Sequence, residues 1–304
     1  MIKKIFLYFI LCILSYSLQA KENIDIRYDG IYLEDITMSQ LDMLYNDYKY
    51  KDYIYIKDWK YPPIFMTTLP IDFHKITDSK KRNKLFLQML VPLSLKVNNE
   101  IIAERYELEE IIKEFNKNQE LSEQQIKTIE DKAIKYDIFT RQKGTRRYTL
   151  ILNQLKEKVD VVPPSILIAS AAIESNWGTN RPVRLANSLY RELVWYTTEG
   201  LEPLDETEDK SYRYKIFNSL YDSMVSYANK INSSINYQQF RTARAQIRSK
   251  EVPLLGRNIA HTMYFDSNLQ NYAGLLDYTI TFYELTNIDE ATLSPLYLPE
   301  TTKK

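Results

Sequence analysis

The chain has few of the residues that support thiol, metal or phosphate chemistry. Its 304 residues include one cysteine, two histidines and six glycines. His74 and His261 are far apart and belong to no zinc-peptidase motif, and no G-x-S-x-G string or glycine-rich phosphate loop occurs. These absences argue against a zinc peptidase, a serine hydrolase and a nucleotide-binding enzyme. We therefore expect no metal and no cofactor.

The chain also lacks an excess of charge of either sign. Forty Lys and Arg residues balance forty Asp and Glu residues, so no overall field favours a nucleic acid or an anionic membrane. A polymeric partner would have to be recognised locally. The 25 tyrosines, 11 phenylalanines and 3 tryptophans offer ring surfaces on which sugars can stack, although most of these rings are expected in the core or at its rim.

The first 20 residues have the layout of a secretory signal peptide. Lys3 and Lys4 precede an apolar run over residues 5–14, and Ala20 provides a small residue at the expected cleavage position. The apolar run is short for a membrane span. Cleavage would remove Cys12, the sole cysteine, and leave no stable membrane span. The sequence thus predicts export to the periplasm or cell envelope.

The remaining chain divides into four predicted segments. Residues 21–61 show no clear periodicity and are predicted to be an extended lead segment. Residues 62–147 form a predicted N-terminal helical region, residues 148–290 the main domain and residues 291–304 a C-terminal tail. The fold class is mainly α, with a small β-hairpin insertion expected between residues 189 and 214.

Several local signals predict helix boundaries. A helical stretch begins near Asp78, and Pro92 is expected to bend or break it. Ser122 with Gln125, and Ser219 with Asp222, have the spacing of N-terminal helix caps. Further helices are predicted near residues 148–155, 237–249 and 269–285.

Glu174 is the candidate catalytic residue. It stands in the last turn of an apolar helix that begins after Pro163, and Trp177, three residues on, is expected on the same face. Poor solvation and the negative end of the helix dipole should both raise the pKa of this carboxyl. A carboxylic acid of raised pKa is what glycoside cleavage uses to protonate the leaving oxygen. Alternatively, Glu174 is an ordinary helix-end carboxylate paired with Arg181 or Arg184.

The order of motifs resembles that of the Bax-like and FlgJ-like glucosaminidases. The string PSILIASAAIESNWGTN at residues 164–180, followed by ANSLY at 186–190, is similar to the family's P-S-x-x-L-A-Q-A-A-x-E-S-G-W-G-T-S and G-N-N-L-F-G. Residues 212–232 and 236–248 are similar in the same order. Upstream, residues 69–73 and 85–105 resemble the helical N-terminal part of Bax proteins, so the resemblance spans about residues 62–285.

The resemblance implies a lysozyme-like α fold with an N-terminal helical extension. It also implies hydrolysis of the β-1,4 bond between N-acetylglucosamine and N-acetylmuramic acid in peptidoglycan, with Glu174 as general acid. Tyr264 matches a family tyrosine that lines the site, although its segment is about one residue longer than expected. The side chains expected to bind substrate are those of Trp177, Asn187, Tyr190, Tyr227 and Tyr272.

Three departures from the family pattern lie beside the candidate site. Ser188 and Arg191 replace an amide and a glycine of G-N-N-L-F-G, and Asn176 replaces the glycine of E-S-G-W-G. Asn176 is the mildest change, because asparagine tolerates the left-handed backbone conformation.

The second catalytic group is left open by the sequence. The acidic loop after residue 198 provides the candidates Glu199, Glu202, Glu206 and Glu208. Inverting, retaining and substrate-assisted mechanisms all stay open. So do two other functions, which are a muramidase or lytic transglycosylase on the same polymer and a catalytically weakened envelope protein that binds peptidoglycan.

Overall fold

The computed structural model describes residues 23–54, 56–204, 211–263 and 271–296. Over these residues the protein is mainly α, as the sequence predicts. The predicted signal peptide and most of the predicted C-terminal tail lie outside this part of the chain. No helix within it is both long and apolar enough to cross a membrane.

Ten α-helices account for most of the described structure, and a few short 3-10 turns connect them. The helices are α1 Met38–Asp47, α2 Ser79–Asn118, α3 Glu123–Lys135, α4 Gly144–Lys158, α5 Pro164–Glu174, α6 Arg181–Ala186, α7 Leu220–Ser233, α8 Gln238–Arg248, α9 Gly256–Ile259 and α10 Tyr272–Phe282.

The described strands are short and form three small sheets. The strands are β1 Ile24–Arg27, β2 Gly30–Leu33, β3 Lys60–Tyr61, β4 Ile64–Met66, β5 Leu193–Trp195, β6 Tyr212–Tyr214 and β7 Thr292–Leu293. Strand β2 pairs antiparallel with β1 and parallel with β4, while β3 and β7 pair in parallel. The antiparallel pair β5–β6 confirms the predicted hairpin.

The chain folds into two compact units, each assembled from separate stretches. The first unit takes its described residues from the chain up to Leu93, from Glu174–Ser223 and from Thr292 onward. The second consists of Ser94–Ile173 and Met224–Ala291. The domain boundaries expected after residues 61, 147 and 290 stay predictions.

The prediction of an extended lead segment over residues 21–61 is wrong, because this stretch contains β1, β2 and α1. Thr37 caps α1 in a capping box, in which its hydroxyl accepts from the Gln40 N–H and the Gln40 side chain accepts from the Thr37 N–H. Ile31, Leu33 and Leu41 are buried. The elements are too short to show a clear period in the sequence.

Helix α2 continues through Pro92, so the predicted break is wrong and the predicted bend stays a prediction. Proline lacks the N–H that would bond to the carbonyl four residues earlier, which here belongs to Gln88. The Tyr50 hydroxyl donates to that carbonyl at 2.8 Å, and the Gln88 side-chain amide donates to the Tyr50 carbonyl at 2.5 Å. Burial raises the pKa of Tyr50 well above its usual value, so its hydroxyl stays a donor.

The predicted helix caps are confirmed. Ser122 and Gln125 form a reciprocal capping box at α3, and the Ser219 hydroxyl accepts from the Asp222 N–H at 3.0 Å ahead of α7. Helix α4 is longer than predicted and begins at Gly144 rather than near residue 148. Within the described residues the predicted helices therefore exist, and their ends differ by a few positions.

The stretch that leads into α5 is fixed by buried charges in the second unit. Arg244 is 1% exposed and donates to the Asp160 and Val161 carbonyls, while Arg248 pairs with the Asp160 carboxylate at 2.5 Å. The Arg248 hydrogen bond and the nearby guanidinium groups hold the pKa of Asp160 below its usual value, although burial opposes this effect. The segment before α5 is consequently anchored on both its backbone and its side chains.

The first turn of α5 is held by Asp289. Its carboxylate accepts from the Ser165 N–H, the Ser165 hydroxyl and the Gly256 N–H, each at 2.8 Å. Burial raises the pKa of Asp289 to about 6 against the opposing effect of these hydrogen bonds. A negative group at this end of α5 also complements the helix dipole.

Replacing Tyr50 with Phe should lower the free energy of unfolding by about 1–3 kcal/mol, because the buried Gln88 carbonyl would lose its donor. Adding Pro92→Ala supplies a backbone N–H for the same carbonyl, so Tyr50→Phe should then cost much less. Urea unfolding of the four proteins of this double-mutant cycle measures the coupling. Equal costs of Tyr50→Phe in both backgrounds would contradict this explanation of the unbroken helix.

Candidate functional site

Glu174 is the last residue of α5, as the sequence predicts. The helix is apolar on all sides and is buried from Pro164 to Ala172, which is typical of a helix inside a core. Glu174 itself is half-buried. A buried helix thus ends in an acid that solvent can still reach.

The turn after Glu174 has an uncommon backbone conformation. Asn176, Trp177 and Gly178 all have positive φ, at 49°, 58° and 76°. The left-handed conformation expected for Asn176 is confirmed. The expectation that Trp177 shares a helical face with Glu174 is wrong, because α5 ends before the tryptophan. A tryptophan with positive φ is strained, so the surrounding structure must hold the turn in place.

Ser175 holds this turn through its side chain and its carbonyl. Its buried hydroxyl accepts from the Gly178 N–H at 2.9 Å. Its carbonyl accepts from the N–H groups of Thr179 at 3.2 Å and Asn180 at 3.1 Å. We call residues 175–178 the catalytic turn.

The catalytic turn rests on two phenylalanine rings. A Cβ atom at Gly178 would lie 2.8 Å from Cδ2 of Phe86 and 2.9 Å from Cε1 of Phe73. The Trp177 ring meets Phe86 edge-on, with centroids 6.5 Å apart. Only glycine therefore fits at position 178, because its conformation and its surroundings both exclude a side chain.

Asn180, which is not among the site residues predicted from the sequence, links the backbone of Glu174 to the next helix. Its side-chain N–H donates to the Glu174 carbonyl at 2.7 Å, and its side-chain oxygen accepts from the Val183 N–H at 3.2 Å. It is thus the N-cap of α6 and a tether for the residue that carries the acid. An asparagine followed by Arg181-Pro182 is the signal that could have revealed this N-cap.

Asn187 and Tyr190, two predicted substrate ligands, lie in the segment after α6. Asn187 ends that helix with φ of 51°, and its amide donates to the Phe217 carbonyl at 3.1 Å. Tyr190 is buried, with 6% of its surface exposed. Both residues pack or bond within the first unit, and their contact with substrate stays a prediction.

Arg191 stands where the family pattern has glycine, and it keeps the backbone conformation that glycine favours. Its φ is 51°, which strains a residue with a Cβ atom. The guanidinium donates to the Tyr214 hydroxyl at 3.3 Å and lies 5.7 Å from the centre of that ring. The Arg191 side chain thus connects this strained position to β6.

The β5–β6 hairpin exposes a group of aromatic rings that the sequence analysis did not select. Trp195 lies directly opposite Tyr212, with ring centroids 5.5 Å apart. Trp195 is 52% exposed, and the neighbouring Tyr196 is 89% exposed. We call Trp195, Tyr196 and Tyr212 the aromatic platform. Its signal in the sequence was the run of β-forming residues over 193–197.

The candidate second carboxylates differ in environment. Glu199 is exposed, whereas Glu202 pairs with Arg213 at 2.5 Å. Glu206 and Glu208 lie outside the described residues. Glu192, which the sequence analysis passed over, has a side chain only 13% exposed and lies 4.0 Å from the Lys215 ammonium. It is therefore a better shielded acid than Glu202, whose side chain is 68% exposed.

Two of the remaining predicted site residues belong to the second unit. Tyr227 in α7 and Tyr272 in α10 are buried, at 1% and 2% exposure. Tyr264 lies outside the described residues. The roles predicted for these three tyrosines stay predictions. In the described stretches, no group of three or more His, Cys, Asp or Glu side chains could hold a metal ion.

Part of the chain is similar to one protein family and to two known proteins. Residues 150–283 match the family model described as mannosyl-glycoprotein endo-beta-N-acetylglucosaminidase. Protein bax of Escherichia coli strain K12 is 28% identical over 201 residues, which cover 65% of this chain and 67% of that protein. The catalytic domain of the autolysin Auto from Listeria monocytogenes matches at 17% identity over 56% of this chain and 99% of that domain, with a TM-score of 0.32. Residues 150–283 of the chain are therefore similar to the glucosaminidase family.

Proposed function

We propose that this protein is an endo-acting N-acetylglucosaminidase that cleaves the β-1,4 bond between N-acetylglucosamine and N-acetylmuramic acid, with Glu174 as general acid. The glucosaminidase domain implies a glycoside hydrolase of the kind that degrades peptidoglycan. The identity of the bond and the role of Glu174 are the proposal. Peptidoglycan lies in the cell envelope, so we place the protein there.

The observation that carries the proposal is the way the chain presents Glu174. The residue lies inside the family domain, ends a buried helix and is followed by a turn held by Ser175, Phe73 and Phe86. A half-buried carboxyl on a firmly held backbone is suited to proton transfer onto a glycosidic oxygen, because the backbone that carries it is positioned before the substrate arrives. The aromatic platform in the same unit offers exposed rings for sugar stacking.

In the proposed reaction, Glu174 gives its proton to the bridging oxygen as the bond to the anomeric carbon breaks. The developing positive charge on the sugar is met by the substrate's own acetamido group, with support from Tyr264. Water then attacks the anomeric carbon and returns a proton to the Glu174 carboxylate. Glu202 suits direct attack poorly, because Arg213 already occupies its carboxylate.

We expect Glu174→Gln to fold normally and to lower the rate of wall hydrolysis by a factor of about 10²–10⁴, because the amide keeps the volume and loses the transferable proton. Digestion of purified sacculi, followed by analysis of the new reducing ends, measures both rate and bond. Glu34→Gln, the same change at an exposed residue of the first unit, is the matched control. A folded Glu174→Gln protein with wild-type activity would show that Glu174 is not the general acid.

The same analysis of reducing ends tests the identity of the bond. New N-acetylglucosamine ends support the proposed specificity. Muramic acid ends would indicate a muramidase, and anhydro-muramic acid a lytic transglycosylase. If the wild-type protein yields no products, it is a weakened wall-binding protein instead.

The substrate-assisted mechanism predicts that no single loop glutamate is essential. Alanine at Glu199, Glu202, Glu206 or Glu208 should leave measurable activity, whereas Tyr264→Phe should remove most of it because the hydroxyl that supports the charge is gone. Glu192→Gln tests the shielded acid next to the hairpin. Initial rates on sacculi decide the question, and a loop glutamate as essential as Glu174 would be the missing base or nucleophile.

Asn180→Ser should lower kcat on the order of tenfold and leave KM nearly unchanged. Serine keeps the N-cap of α6, but it is too short to reach the Glu174 carbonyl, so the acid loses one of its positional restraints. Steady-state rates on soluble glycan strands give the two constants, and urea unfolding checks that stability is retained. An unchanged kcat would show that the catalytic turn alone positions Glu174.

A further inference from the structure

An open groove of about 400 Å³ lies beside the catalytic turn, within the first unit. One wall is the stretch 68–74 that precedes α2, and the other contains Gly178 and the end of α6. Since Gly178 is four residues from Glu174, at most about 14 Å of extended chain separates the acid from the groove. We call this feature the side groove.

The side groove has an exposed apolar part. Ile71 and Leu185 both line it, and they are 56% and 60% exposed. Leu69 and Pro70 add further apolar surface from the same wall as Ile71. Apolar side chains exposed together in a concave surface are typical of a binding site.

The charges in the side groove are of both signs. Arg184 and His74 are exposed, and neither forms an ion pair with any residue that the structure describes. Asp35 is exposed as well, and its carboxylate accepts a hydrogen bond from the Thr68 hydroxyl at 3.1 Å. The groove thus combines an available guanidinium, an imidazole, a carboxylate and apolar surface.

We propose that the side groove binds the peptide stem carried by the muramic acid residue of the glycan. This inference rests on the proposed function, because it assumes that a glycan strand occupies the site of Glu174. A stem peptide combines small methyl side chains with carboxylates and includes a diamino acid. Its carboxylates suit Arg184, its amine suits Asp35 and its methyl groups suit Ile71 and Leu185.

Binding of the stem makes peptide-bearing glycan a better substrate than bare glycan. Recognition of a group remote from the bond also helps to orient the sugar at the acid. A protein with such a groove is expected to act on intact wall material in preference to strands whose peptides an amidase has already removed.

The first experiment compares two substrates. For Arg184→Glu, kcat/KM on peptide-bearing strands should fall by about tenfold or more, as expected for loss of a hydrogen bond to a charged group. The value on amidase-treated, peptide-free strands should not change. Leu185→Asp provides a second, exposed position, and Arg146→Glu in the second unit is the matched charge control. Equal loss on both substrates, or no loss on either, overturns the proposal.

The second experiment measures binding without catalysis. A free stem tetrapeptide is titrated into full-length Glu174→Gln protein by calorimetry, and again with Arg184→Glu added. Binding that disappears with Arg184→Glu supports peptide binding by the side groove. If such binding is found but the wild-type enzyme cleaves neither substrate, only the proposed function fails. Absence of binding by the Glu174→Gln protein overturns the proposal that the side groove binds the stem peptide, and it leaves the glycosidase proposal intact.

Discussion

The close approach of the Gly178 backbone to Phe73 and Phe86 is the contact on which the candidate site depends. Two rings fill the space where a side chain would begin, so only glycine fits at this position, and its φ of 76° lies in the left-handed region. Trp177 and Asn176 then adopt positive φ as well, and the carboxyl end of α5 keeps one geometry. The backbone geometry around Glu174 thereby depends on residues that lie far upstream of it in the sequence.

Side chains supply hydrogen bonds to backbone groups that find no partner within their own helix. Tyr50 donates to the carbonyl that Pro92 leaves free, Asp289 accepts from the first turn of α5, and Asn180 donates to the carbonyl of Glu174. A buried backbone group without a partner costs about 1–3 kcal/mol. Each of these side chains therefore stabilises an element end or an irregularity that local sequence preferences would not maintain.

The environment of the candidate site also separates residues that look alike in the sequence. Glu202 pairs with Arg213, Glu192 is shielded and Glu199 is exposed, although all three are glutamates of one acidic stretch. Likewise Trp195 is half exposed, whereas Tyr227 is buried. These residues differ in the chemistry that they can perform because their burial and ion pairing differ. Burial and pairing depend on neighbours that are distant in the chain.

Local signals in the sequence determined the helices with strong caps, the hairpin and the position of Glu174 at the end of α5. This is because helix caps, apolar runs and turn-forming residues act within a few positions. The same signals failed at residues 21–61, where the elements are short. They also did not show that α2 continues through Pro92, where Tyr50 compensates from 42 positions away. Only the tertiary structure decided the packing of Gly178 against Phe73 and Phe86 and the shape of the side groove. Both require segments that meet in space, and their distances are not encoded in any local pattern.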